Sequence, residues 1–132
     1  DRSGSLGVGV DESTETLSYR LDVSGSIRAS GTVVQSSDER LKSNIEVVDN
    51  ALEKINKVEG VYFNWNEGIS DRQVGVIAQQ VQKVLPEVVS EDEKGYLNVS
   101  YASIVPVLIE AVKEQNIKLA ELEKRISILE SK

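Results

Sequence analysis

The chain has 132 residues, a net charge of −7, and neither cysteine nor histidine. That length allows one domain, or one small domain with extensions. The missing thiols and imidazoles exclude disulfides and thiol catalysis and leave no basis for a transition-metal centre, so no metal or other cofactor is expected. The acidic balance argues against a nucleic-acid partner, because phosphate binding needs clustered lysine and arginine.

No apolar run approaches the roughly 20 residues that span a bilayer, and no signal peptide is visible, so no membrane partner is expected. Methionine is absent even at position 1, which reads as an internal or C-terminal piece of a longer protein. Only 5% of residues are aromatic, too few for a large single core, so stability is expected to come from association between chains.

Residues 1 to 36 read as β structure. Leu6, Val8 and Val10 alternate with Gly7 and Gly9, and Leu17, Tyr19, Leu21 and Val23 alternate with Ser18, Arg20 and Asp22. Such alternation puts the apolar side chains on one strand face. Five of the nine glycines, at 4, 7, 9, 25 and 31, fall where short strands would turn. So few large apolar side chains cannot bury a core alone. The segment is either a flexible linker or an intertwined β structure in which each chain completes its neighbours' cores.

Residues 38 to 99 read as a compact α+β unit. Asn50 followed three positions later by Glu53 makes a capping-box-like helix start, and Gly60 would end that helix. Val61, Phe63 and Trp65 alternate with Tyr62 and Asn64 as a strand with one buried face, closed by an Asn66-Glu67-Gly68 turn. Ile77, Val81, Val84 and Leu85 recur at helical spacing until Pro86 stops the helix. Val88-Val89 and Tyr96 to Val99 form a hairpin across Ser90 to Gly95. The acidic run Glu91-Asp92-Glu93 in its turn reads most simply as a solvated loop.

The last third carries an apolar seam. Val105, Leu108, Val112, Gln115, Leu119, Leu122, Ile126 and Leu129 step by three and four, the a/d pattern of a coiled coil. A lone helix would leave this stripe wet, so partner helices are expected; the alternative is packing on the chain's own domain. Pro106 should lie near the helix start, with Ser100 or Ser103 as its cap. Gln115, the one polar seam position, can fix register and chain number.

Between the strand region and the α+β unit lies Ser37-Asp38-Glu39-Arg40-Leu41-Lys42. With no histidine in the chain, a serine nucleophile would need a lysine as its base. A free lysine amine is almost wholly protonated near pH 7. Desolvation, or nearby positive charge such as Arg40, must therefore strip its proton. An assembled oligomer could supply the desolvation. Read blandly, Ser37 and Lys42 are ordinary surface residues.

The run S-S-D-E-R-L-K-S-N-I, followed by A-L-E-K-I, G-V-Y-F-N-W, V-G-V-I-A-Q-Q-V-Q-K-V-L-P-E-V-V and Y-A-S-I-V-P-V-L-I-E-A-V-K-E-Q-N, closely resembles the C-terminal intramolecular chaperone auto-processing domain of bacteriophage tailspikes and tail fibres. This is the peptidase S74 family, which includes the endosialidase tailspikes. The likeness covers residue 37 to about residue 130, with no departure from the S-D-x-R-x-K core. The stretch Y-R-L-D-V-S-G-S-I-R-A-S-G-T looks like the β-rich end of the preceding fibre.

The resemblance implies a homotrimer that winds three chains into register and then cuts itself off in a virion-assembly setting, the host cytoplasm. It makes Ser37 the nucleophile and Lys42 the base, with the scissile bond between Ser37 and Asp38. Asp38 and Arg40 would orient the turn or polarise the bond, and Glu39 is a further supporting candidate.

The implied domains are residues 1–37 as fibre end and 38–132 as chaperone, with 101–131 as coiled-coil helix. The implied fold is α+β: an intertwined trimeric β region, a small α+β domain and a long helix in a trimeric coiled coil. A permanent, non-cutting trimerisation module is the alternative. Membrane-bound transcription regulators carry a related domain, but the glycine-rich strands and the lack of a membrane segment fit them less well.

Overall fold

The structure, a computed structural model, describes residues 4–11, 17 and 19–132. The chain divides into two units, residues 1–46 with 92–95, and residues 47–91 with 96–132.

In the first unit, β1 (Leu6–Val8) pairs in parallel with β2 (Leu21–Val23), with Leu6 opposite Leu21 and Val8 opposite Val23. The alternation is thus realised over shorter lengths than the sequence suggests. Gly9 turns the chain at φ +71°, directly after Val8, so Val10 cannot continue the strand. Tyr19 lies in a bend, and Ser18 falls outside the described residues. Leu6, Val8 and Leu21 stay at least half exposed. Residues 24–38 form no helix or strand.

The second unit is α+β, as expected. Its helix α1 (Ala51–Asn56) begins at Asn50, but not through the capping box. Asn50 takes the left-handed conformation, at φ 47° and ψ 37°, and its side chain makes no cap bond. Glu53 pairs instead with Lys57 at 2.8 Å. The orphan amides of Ala51 and Leu52 donate to the Glu114 carboxylate at 3.0 and 2.8 Å, from 63 and 62 residues away. The helix start is therefore held by a tertiary contact.

Gly60 does not end α1. The helix closes earlier in tightened turns, Lys57 N–H to the Lys54 carbonyl and Val58 N–H to the Ile55 carbonyl. Gly60 opens β3 (Gly60–Phe63), whose antiparallel partner β4 (Gln73–Val76) the sequence pattern did not announce. Trp65 lies beyond the strand. The Asn64 side chain donates to the Ser70 carbonyl at 3.0 Å and folds the chain out of the ladder, leaving the Trp65 ring edge-on to Phe63. Gly75 is buried because the Tyr101 hydroxyl, which accepts from Val76 N–H at 3.1 Å, occupies the space a Cβ would need.

Helix α2 (Ala78–Val84) starts directly after Ile77 and is capped by Leu85, which leaves the helical conformation (φ −142°, ψ 62°) ahead of Pro86. Pro86–Val88 forms a short 3-10 turn leading into β5 (Val89–Glu91), which pairs antiparallel with β6 (Leu97–Val99). The hairpin lies where expected, but Glu91 joins its strand and Tyr96 does not. Its turn is closed by Lys94 N–H on the Asp92 carboxylate at 2.9 Å and by Gly95 at φ +82°. No metal-binding group of carboxylates exists among the described residues.

A 3-10 turn, Tyr101–Ile104, leads into α3 (Val105–Glu130), with Pro106 in its first turn. Neither serine caps α3. Ser100 heads the 3-10 turn, and its hydroxyl bonds to that of Ser103 at 2.8 Å. No described helix is long and apolar enough to cross a membrane.

The core comprises Ala51, Val81, Leu85, Val107 and Ala111, flanked by half-buried valines such as Val48, Val58 and Val99. Helix α3 thus has two apolar faces. Val107, Ala111 and the half-buried Glu114 pack on the chain's own domain, chiefly α1. The a/d seam points elsewhere, its apolar members running from 44% exposed at Leu108 to 67% at Leu129. From Gln115 onward every residue is exposed.

Removing the Glu114 carboxylate strands two amides at a half-buried helix start. Charge-assisted bonds of this kind contribute about 1.5–3 kcal/mol net when well buried, and less at a half-buried site. Glu114→Ala is therefore expected to lower unfolding stability by about 2 kcal/mol. Urea titration followed by circular dichroism measures this, and an unchanged midpoint would contradict it.

Candidate functional site

The segment from Ser37 to Lys42 folds locally. Asp38 is the N-cap of a 3-10 turn over Glu39–Leu41, its carboxylate accepting from Arg40 N–H at 2.9 Å. Leu41 N–H reaches the Asp38 carbonyl at 3.1 Å and Lys42 N–H the Glu39 carbonyl at 3.0 Å. One tight turn thereby carries residue 42 back over residue 37. The Lys42 ammonium Nζ donates to the Ser37 Oγ at 2.7 Å. The two residues singled out by the family resemblance are in direct contact.

Asp38 and Arg40 lock the same turn from its outer side. The guanidinium grips the carboxylate in a fork, Nε to Oδ1 at 3.0 Å and the second nitrogen to Oδ2 at 2.7 Å. That pairing holds the Asp38 carboxyl below its ordinary value and raises Arg40. The sign follows. The Asp38 contribution is present at every pH above the ordinary carboxylate range and is lost only as pH falls through its depressed value.

Arg40 is thus matched by its own counter-ion, not left as free positive charge beside Lys42. Glu39 contributes its carbonyl to the turn, and its side chain makes no hydrogen bond or ion pair among the described residues. Ser37, Asp38, Glu39, Arg40 and Lys42 are all exposed in the single chain.

Residues 37–90 match the family described as chaperone of endosialidase, peptidase S74. The match begins at Ser37 and runs through α1, α2 and the central strands, so this stretch carries a domain of that family. Among its relatives is the long tail fiber protein Gp37 of Enterobacteria phage K3, 41% identical over 98 residues, covering 68% of this chain and 8% of the relative. The Gp37 of Enterobacteria phage M1 is 36% identical over 95 residues, covering 65% of this chain and 38% of the relative.

More distant is the myelin regulatory factor homolog 1 of Caenorhabditis elegans. It is 28% identical over 134 residues, covering 93% of this chain and 14% of the relative. The chain spans less than a tenth of the phage K3 fibre protein. Family and fibre relatives together support a chaperone role in a phage tail-fibre setting.

Proposed function

We propose that this chain joins the end of a phage tail fibre or tailspike to an intramolecular chaperone. The chaperone draws three copies together, folds the fibre and releases itself by cutting between Ser37 and Asp38. The observation that carries the chemistry is the 2.7 Å contact of Lys42 Nζ with Ser37 Oγ across the Asp38-capped turn. In the single chain that amine is exposed and keeps its proton between Nζ and the hydroxyl as a hydrogen-bond donor. As a base it must lose that proton and accept one instead. Neighbouring subunits closing over the exposed turn remove the water that favours the ammonium, so cutting waits for assembly.

Ser37 cannot readily attack its own carbonyl, since that closes a strained four-membered ring. Two routes balance. In the first, the hydroxyl of a neighbouring copy adds to the Ser37 carbonyl carbon while lysine takes its proton. The lysine then returns that proton to the Asp38 nitrogen as the C–N bond breaks, and water hydrolyses the ester. In the second, lysine takes a proton from a water that adds directly to the Ser37 carbonyl carbon, and returns it to the Asp38 nitrogen as the C–N bond breaks. Mixing Ser37→Ala with Lys42→Ala chains separates the routes: cleavage in the mixture alone requires attack between chains.

A removable helper answers a folding problem. Intertwined β structure rests on non-local contacts, so loop-closure entropy is lost before any core forms. A coiled coil forms from local contacts and raises the effective concentration of the strands to be wound. Cutting then removes the easy route back and leaves the fibre kinetically trapped.

The mature part would remain in the virion tail. The 41% identity to a fibre protein favours this setting over that of the regulatory factor, at 28%. Mass spectrometry after incubation of the full chain tests the reading. One product should end at Ser37 and the other begin at Asp38; an intact chain in a well-formed oligomer would leave only a permanent trimerisation module.

A further inference from the structure

We infer that the pocket beside Trp65 is a recognition site for the segment that leads into the scissile bond, supplied by a second copy of this chain with Val34 as its anchor. The inference rests on the self-cutting function proposed above and adds how the segment to be cut is chosen. The pocket lies wholly within the second unit and encloses about 490 Å³. Phe63, Trp65, Leu97 and Tyr101 supply apolar wall, and no charged side chain lines it. The Asn66 and Gln79 amides at its rim make no hydrogen bond among the described residues. Each such amide carries a donor and an acceptor, the pair that an extended backbone presents in return.

Charge and exposure name the occupant. Residues 29–37 form an uncharged run that ends at the scissile bond. They build no helix or strand, and their backbone groups make no backbone hydrogen bond among the described residues. Val34 and Val33, 83% and 78% exposed, are the most exposed large apolar side chains described. The other irregular stretch with exposed branched side chains, residues 43–49, carries Glu46 and Asp49. Against uncharged walls those carboxylates would lose water with no partner. Residues 29–37 bring no such cost.

Only one of the two valines can enter, because side chains of an extended segment alternate between faces. Residues 34 and 37 then face opposite ways. With Val34 in the pocket, Ser37 points away from the docking surface, and its 2.7 Å contact with Lys42 is undisturbed. Three extended residues separate anchor and scissile residue by roughly 10 Å, so the pocket fixes where the bond to be cut is held.

Trp65 is the only tryptophan of the chain, so its fluorescence reads the pocket directly. The acceptor is the full V34D/S37A chain, which cannot fill the pocket with its own anchor. The probe is the peptide S-G-T-V-V-Q-S, residues 30–36, with both ends capped. It should move the Trp65 emission to shorter wavelength and saturate, while the same peptide with aspartate at its second valine should not. No saturable change with the wild-type peptide overturns the inference.

The second arm follows cutting of the full chain on a denaturing gel, with sedimentation to confirm association. V34D should slow cutting at least about tenfold, and V34D/Q79K, which sets an ammonium at the rim against the new carboxylate, should recover most of the rate. V34D cutting at the wild-type rate overturns the inference, and if V34D fails to associate the peptide alone decides. A wild type that stays intact while the peptide binds sinks the proposed cutting and leaves the recognition site standing. A wild type that cuts while the peptide leaves Trp65 unmoved sinks the recognition site alone.

Discussion

Replacing Ser37 by alanine is expected to leave a chain that folds, associates and never cuts. The hydroxyl is exposed and, among the described residues, bonded only to Lys42, so its loss removes no packing. Removing one member of a nucleophile–base unit abolishes most of the catalysis of the whole, because the members act together. Lys42→Ala should match it, each lowering the cleavage rate by at least about 1,000-fold.

Lys42→Arg is the sharper control. It keeps the positive charge and reach, but a guanidinium is never neutral in a protein and cannot serve as a base. An uncut Lys42→Arg chain beside a cutting wild type would assign the role to proton transfer and not to charge. Asp38→Asn tests the turn separately: it weakens the fork to Arg40 but keeps an N-cap acceptor, so cleavage should slow and not vanish. A Ser37→Ala chain that still yields two pieces on a denaturing gel would place the nucleophile elsewhere.

The second large effect concerns the seam. Leu119→Asp with Leu122→Asp places two carboxylates at adjacent seam positions. Within one chain they would sit in water, as the leucines are 57% and 50% exposed. In a closed bundle they would be buried without partners, at several kcal/mol each. The variant is therefore expected to sediment as a monomer while its domain keeps its core of Ala51, Val81, Leu85, Val107 and Ala111.

On the proposed dependence of cutting on assembly, the monomer should also stay uncut with Ser37 and Lys42 intact. A monomer that cuts at the wild-type rate would sever chemistry from assembly. Val107→Asp is the contrasting control. It lies on the other face of the same helix, is buried, and should unfold the domain itself.

Local patterns in the sequence announced what local physics decides. The α3 seam, the α2 periodicity, the β5–β6 hairpin and the alternation in β3 all follow from side-chain spacing. Spacing alone left Ser37 and Lys42 as ordinary surface residues, and the family resemblance singled them out; their contact comes from an Asp-capped turn, itself a short-range device. What stayed hidden was set at long range.

Strand β4 carries only two valines around Gly75, and its place is fixed by β3 and by the Tyr101 hydroxyl, 25 residues away in sequence from Val76. The Asn50 and Glu53 pair looks like a capping box, yet the carboxylate that holds the helix comes from Glu114. The alternation at the N-terminus showed which residues line a strand face, but not that β1 would pair in parallel with β2. Helix α3 has apolar residues on two faces, and spacing alone did not say which face its own domain would use.

Glu114 stands one residue before the helix leaves its domain, and it grips the first two amide protons of α1. Were copies to wind together as proposed, any rotation or bending of α3 would act directly on that grip. Ala51 and Leu52 would then act as a strain gauge at the root of the lever, their solvent-exchange rates reporting from inside one subunit on how tightly its companions are wound.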